Sequence, residues 1–191
     1  MRAATNATEP NESASDESAA RAGRTSRPAS LEALVAEIKN RLGDAWPARI
    51  YRERILPTRT RSHAVAPAAR GVAVEIQHTL LGIELKVGRR RISCPDLATA
   101  RYLSVFARAG VAETAVPYDI TKISHLADEL ESAWQRMLLL SDHLTEGRAA
   151  TFRTRVRSAT IAAARAEIEE AGAGTAVPQF NQNTRQRPQR I

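Results

Sequence analysis

One cysteine, eight aromatic side chains, three lysines and no long apolar run set the first limits on this 191-residue chain. With Cys94 alone, neither an intrachain disulfide nor a cysteine-built zinc site is available. A reducing, cytosolic compartment is therefore the expected setting. No eighteen consecutive residues are apolar, so no membrane span is expected. The opening Met-Arg-Ala-Ala turns polar at once, without the apolar stretch of a secretory signal. Aromatic residues make up only 4% of the chain, so aliphatic side chains must fill the interior. Gly71, Gly82 and Gly88 lack the spacing of a phosphate-cradling loop. His63, His78, His125 and His143 are scattered without metal-ligand spacing.

Positive charge is abundant, and nearly all of it is arginine. The formal net charge is +7, and the first thirty residues contribute nothing to it, because Arg2, Arg21, Arg24 and Arg27 balance Glu9, Glu12, Asp16 and Glu17. From residue 31 onward 24 basic side chains face 17 acidic ones. That balance favours acidic partners such as nucleic acid, or an anionic membrane surface.

The pattern divides the chain into a polar tail at 1–28, an α/β domain at 29–120, a helical hairpin at 121–171 and a basic tail at 172–191. Leu31, Leu34, Val35, Ile38 and Leu42 form one helical stripe that ends at Gly43. Ile50, Tyr51, Ile55 and Leu56 suggest a short strand, followed by loop from Pro57. Pro95 suits the first turn of a helix carrying Leu97, Leu103 and Phe106 and stopping at Gly110. Val111 to Val116 reads as a strand closed by Pro117. Asp119 is placed to cap a helix over Thr121 to Leu144, and an Ala-rich helix over Arg148 to Ala171 follows.

Val72, Val74 and Ile76 alternate with Ala73, Glu75 and Gln77, and Ile83, Leu85 and Val87 alternate with Glu84 and Lys86. Two adjacent runs of period two predict a hairpin with one dry face. With Ile76 opposite Ile83 and His78 to Leu81 as the connection, Glu75 lies directly across from Glu84. Such a like-charge pair is unfavourable, and a bound cation would relieve it.

The order helix, strand, hairpin with Glu84-x-Lys86, helix, strand resembles the PD-(D/E)XK nuclease superfamily over about residues 31–117. Holliday-junction resolvases and restriction-like endonucleases belong to it. The resemblance implies a small central mixed sheet containing an antiparallel hairpin, flanked by helices. It implies hydrolysis of DNA phosphodiester bonds with Mg²⁺ or Mn²⁺ held by Glu75 and Glu84 and Lys86 beside the reacting phosphate. Gln77, Arg89, Arg90, Arg91 and Arg101 would contact the nucleic acid, and a resolvase would act as a homodimer. The usual first acid of the family is Asp, whereas Glu75 is one methylene longer. A second reading stays open, a non-catalytic basic adaptor that binds nucleic acid or recruits a protein through Leu130 and Trp134 of the C-terminal helices.

Overall fold

Apolar side chains at helical spacing form α1, Leu31–Leu42, whose Leu34 and Ile38 are buried. The computed structural model describes residues 30–69 and 71–174. The expected tails at 1–28 and 172–191 lie outside these residues, apart from 172–174.

The strand expected around Ile50 is helical. Pro47 opens α2, Pro47–Ile50, which runs on as a π-helical turn, Tyr51–Ile55. Ala48, Ile50, Tyr51 and Ile55 are buried, and Arg49 pairs with Glu53 one turn along at 2.8 Å. Positions 50, 51 and 55 lie on one helical face. Their β-branched and aromatic character masks that spacing in the sequence.

The segment expected as loop contains β1, Thr60–Ala64, which pairs antiparallel with β5, Glu113–Pro117. Thr-Arg-Ser-His-Ala has no apolar alternation, so it is a strand only because β5 supplies a ladder. The remaining strands are β2, Val74–Thr79, β3, Gly82–Val87, and β4, Arg90–Cys94, in an antiparallel meander of order β2-β3-β4. The chain is thus mixed α/β, but the single mixed sheet expected is replaced, among the described residues, by two small antiparallel ones.

Between the sheets in sequence comes α3, Leu97–Ala109. Asp96, and not Pro95, controls its start: the Asp96 carboxylate accepts from the Thr99 amide at 2.7 Å. Gly110 ends it at φ 80°, the left-handed conformation that glycine adopts most readily. Tyr102, Leu103, Val105 and Phe106 are all buried, because α3 lies against the meander on one side and α4, Ile120–Leu144, on another. The last helix, α5, Ala150–Ala171, packs on α1 and α4 and buries Val156, Thr160, Ala164 and Ile168. The α/β segment and the two C-terminal helices share one core.

Three rings and two hydroxyls knit that core to the end of α5. The Tyr102 hydroxyl donates to the Ala115 carbonyl at 2.6 Å, while the Ala115 amide donates to the Tyr51 hydroxyl at 2.9 Å. Tyr51 in turn donates to the Gly172 carbonyl at 2.6 Å. Phe106 packs edge-on to Tyr51, with centroids 5.6 Å apart. Burial raises both phenols, so these hydroxyls stay protonated and available as donors.

His63 and Thr114 face each other across the β1–β5 ribbon, and both His63 Nε2 and Thr114 Oγ1 are buried without a hydrogen-bond partner among the described residues. Burial first, and Arg61 second, lower the His63 pKa from its ordinary 6.5. The unfolded chain therefore takes up this proton before the folded one does. The His63 contribution is complete above the ordinary value and is lost as pH falls through the folded one. Urea midpoints should drop between about pH 7.5 and pH 5.5, and the drop should be smaller in His63→Leu. Equal drops in both proteins would contradict this account.

Candidate nucleic-acid interface

The meander has two unlike faces. Val74 and Ile76 of β2, Leu85 and Val87 of β3, and Ile92 and Cys94 of β4 point toward α3, with Leu85, Val87 and Cys94 buried. Burial also raises the Cys94 thiol, so it is an inert core group. The opposite face carries Glu75 and Gln77, Glu84 and Lys86, then Arg91 and Ser93.

The pairing across this face differs from expectation by two residues. Glu75 opposes Lys86, Gln77 opposes Glu84, and Ile76 opposes Leu85. The connection is only Leu80-Leu81. Thr79 closes it, its hydroxyl accepting from the Leu81 amide at 3.2 Å and donating to the Gly82 carbonyl at 3.1 Å. Gly82 sits at φ 128°, where a side chain would be strained. A slip of two residues keeps every side chain on its own face, so alternation cannot tell the two registers apart. The turn decides between them, and Thr79 with Gly82 is the signal that could have revealed it.

This register replaces the expected carboxylate pair with ion pairs. Lys86 Nζ lies 3.4 Å from Glu75, and Gln77 donates to the same carboxylate at 3.3 Å. Arg91 reaches Glu84 diagonally at 3.3 Å. Glu75 and Glu84 are themselves diagonal neighbours, with backbones roughly 7–8 Å apart in such an arrangement. Each is already neutralised by a cation of its own sheet, and among the described residues no group of three His, Cys, Asp or Glu gathers to hold a metal. A divalent ion bound by these carboxylates would have to displace Lys86 and Arg91.

Arg101 belongs elsewhere. It projects from α3 to α4, where it pairs with Asp128 at 2.8 Å and Glu131 at 2.5 Å. The Glu131 hydrogen bond is the main cause holding its guanidinium above its ordinary pKa. Because α3 covers the dry face, the sheet separates Arg101 from Lys86. Leu130 and Trp134, offered as a recruiting surface, are buried in the core.

Arg89, Arg90 and Arg91 are exposed where Gly88-Arg89 turns β3 into β4. Among the described residues, Arg89 and Arg90 have no carboxylate partner, while Arg91 shares its charge with Glu84. Arg90 and Arg91 border a shallow groove against Ala64, Val65 and Ala66, at the end of β1. Sequence reasoning missed Arg59 and Arg61, which flank the Tyr118 ring at 5.2 and 6.0 Å. Among the described residues no helix is long and apolar enough to cross a membrane. Comparison with family models, curated proteins and solved structures brings no match.

The register carries its own test. A double-mutant cycle on Glu75→Ala and Lys86→Ala should give a favourable coupling of about 0.2–1 kcal/mol that fades in high salt. Zero coupling at low salt would contradict the pairing of these two side chains.

Proposed function

We propose that this chain is a basic α/β module that holds the sugar–phosphate backbone of DNA at the β3–β4 turn of its meander. The observation that carries this reading is the cluster Arg89, Arg90 and Arg91. All three are exposed: Arg89 lies in the turn, Arg90 and Arg91 open β4 on opposite faces of the sheet, and Arg89 and Arg90 have no carboxylate partner among the described residues. A guanidinium matches phosphate with two parallel donors in a planar fork. Contacts of this kind set affinity without reading sequence.

A second reading, metal-dependent phosphodiester hydrolysis, is favoured by one specific feature. Glu75, Glu84 and Lys86 share a face of one sheet, with Glu84-x-Lys86 on the central strand. The order of elements around them supports a restriction-endonuclease-like ancestry, while the two separate sheets depart from it. In that reading Lys86 would release Glu75 and neutralise charge on the phosphate, a task suited to a compact ammonium.

Anisotropy titrations of labelled duplex at several salt concentrations test the first reading. Each phosphate that a guanidinium neutralises adds about 0.9 to the salt slope, so Arg89→Ala/Arg90→Ala/Arg91→Ala should remove roughly 2–3 from it. An unchanged slope and affinity would reject the arginine turn as the point of binding. Incubation with Mg²⁺ or Mn²⁺ tests the second reading in the same samples. Cleavage that disappears in Lys86→Ala supports it, and intact DNA under all conditions rejects it.

A further inference from the structure

The least expected residues in this fold are Leu80 and Leu81. They occupy both central positions of a two-residue hairpin turn, where glycine, asparagine and aspartate are the usual choices. Their relative exposures are 106% and 96%, the highest of any large apolar side chains described. A Cβ built at Gly82 beside them would meet nothing within 4 Å, so the tip stands clear of the rest of the fold. Leu97, also exposed, opens α3 just after β4 leaves this end of the sheet. The tip contributes nothing to the core.

At the other end of the same strand lies the arginine turn. Strand β3 spans six residues at about 3.3 Å each, so Leu81 and Arg89 stand roughly 20 Å apart on one rigid element. The face between them is neutralised, Glu75 by Lys86 and Glu84 by Arg91, and so presents no net repulsion to a polyanion. One end is thus cationic, the middle is neutral and polar, and the far end is an apolar wedge. Apolar wedges enter DNA from the minor groove, about 6 Å wide. With about 20 Å between the two ends, the tip can sit in that groove while the arginines hold the backbone beyond it.

We infer that Leu80 and Leu81 form a wedge that inserts between base steps of double-stranded DNA and kinks it, while the arginine turn grips the backbone nearby. The inference rests on the DNA-binding reading above and specifies what the second end of the hairpin does there. Leucine is among the side chains that unstack base steps in this manner, and the resulting bends run from about 20 to 90°. A lipid bilayer fits less well. Burying the tip in a membrane would leave the arginines about 20 Å above it, beyond the roughly 8 Å screening length at physiological salt, so the two ends could not act together. A-form RNA fits less well too, because its wide, shallow minor groove is recognised by shape and 2′-hydroxyl contacts rather than by wedges.

The test is energy transfer across a doubly end-labelled duplex of about 30 bp, titrated with the full chain. Wild type should bind and raise transfer, as a bend of roughly 20–90° requires. Leu80→Ser/Leu81→Ser should still bind, within about tenfold, but leave the duplex straight. Leu80→Ile/Leu81→Ile should keep the bend, because the wedge needs bulk and apolarity rather than one shape. Circular dichroism melting should be unchanged in both variants, since neither side chain is packed. Binding by wild type without added transfer would overturn the wedge and leave the arginine reading intact, and so would equal transfer in the serine variant. No binding by wild type would overturn both readings. Leucine-dependent sedimentation with phosphatidylserine vesicles, in the absence of DNA bending, would overturn the wedge in favour of a lipid partner.

Discussion

Helix α3 must be dry on more than one side, and most of the molecule's layout follows from that demand. It lies between the meander and α4, with Ala100, Tyr102, Leu103, Phe106 and Ala107 at or near zero exposure. Covering such a helix requires one apolar sheet face, which Ile76, Leu85, Val87 and Ile92 supply. Once that face is committed, the period of two sends Glu75, Gln77, Glu84, Lys86 and Arg91 outward together. The polar face is thus a consequence of how the core is closed. Its separation from Arg101 has the same origin, since that arginine leaves α3 on the side where Asp128 and Glu131 wait.

The outward face illustrates how register converts composition into chemistry. Two glutamates, one lysine and one arginine can be arranged as a repelling carboxylate pair or as two ion pairs. The two-residue turn at Leu80-Leu81 selects the ion pairs, Glu75 with Lys86 and Glu84 with Arg91. Each is half-exposed and contributes little to stability. Their effect is on the field: cancelled charge in the middle of the sheet leaves Arg89 and Arg90 as its unneutralised cations among the described residues. An anionic partner would therefore be drawn to the end of the hairpin rather than its centre.

Elements governed by their own residues were legible in the sequence, and elements governed by distant partners were not. The α1 stripe, Gly110 as a stop and Asp119 as a cap are local signals, and the structure bears them out. The β2–β3 hairpin was legible as a hairpin, with the right residues on each face. Its register was not, because alternation repeats every two residues and a four-residue connection satisfies it as well as Leu-Leu does. Strand β1 was invisible because Thr60 to Ala64 is polar and owes its conformation to β5. The turn at Tyr51–Ile55 reads as a strand because aromatic and β-branched residues favour strands until a helix buries them on one face. Of the site residues, Glu75, Gln77, Glu84, Lys86 and Arg91 do share a face, Arg89 lies in the adjoining turn, and neither Arg90, on the other face, nor Arg101, on α3, joins them.

The central claim is that the meander presents its arginine turn and its tip, not its helical side, to a polyanion. Chemical-shift mapping of backbone amides during titration with duplex DNA tests this directly. The account predicts perturbations concentrated at residues 79–82 and 88–91, with α4 and α5 unmoved. Perturbations centred on α4 and α5, with those two segments silent, would contradict it.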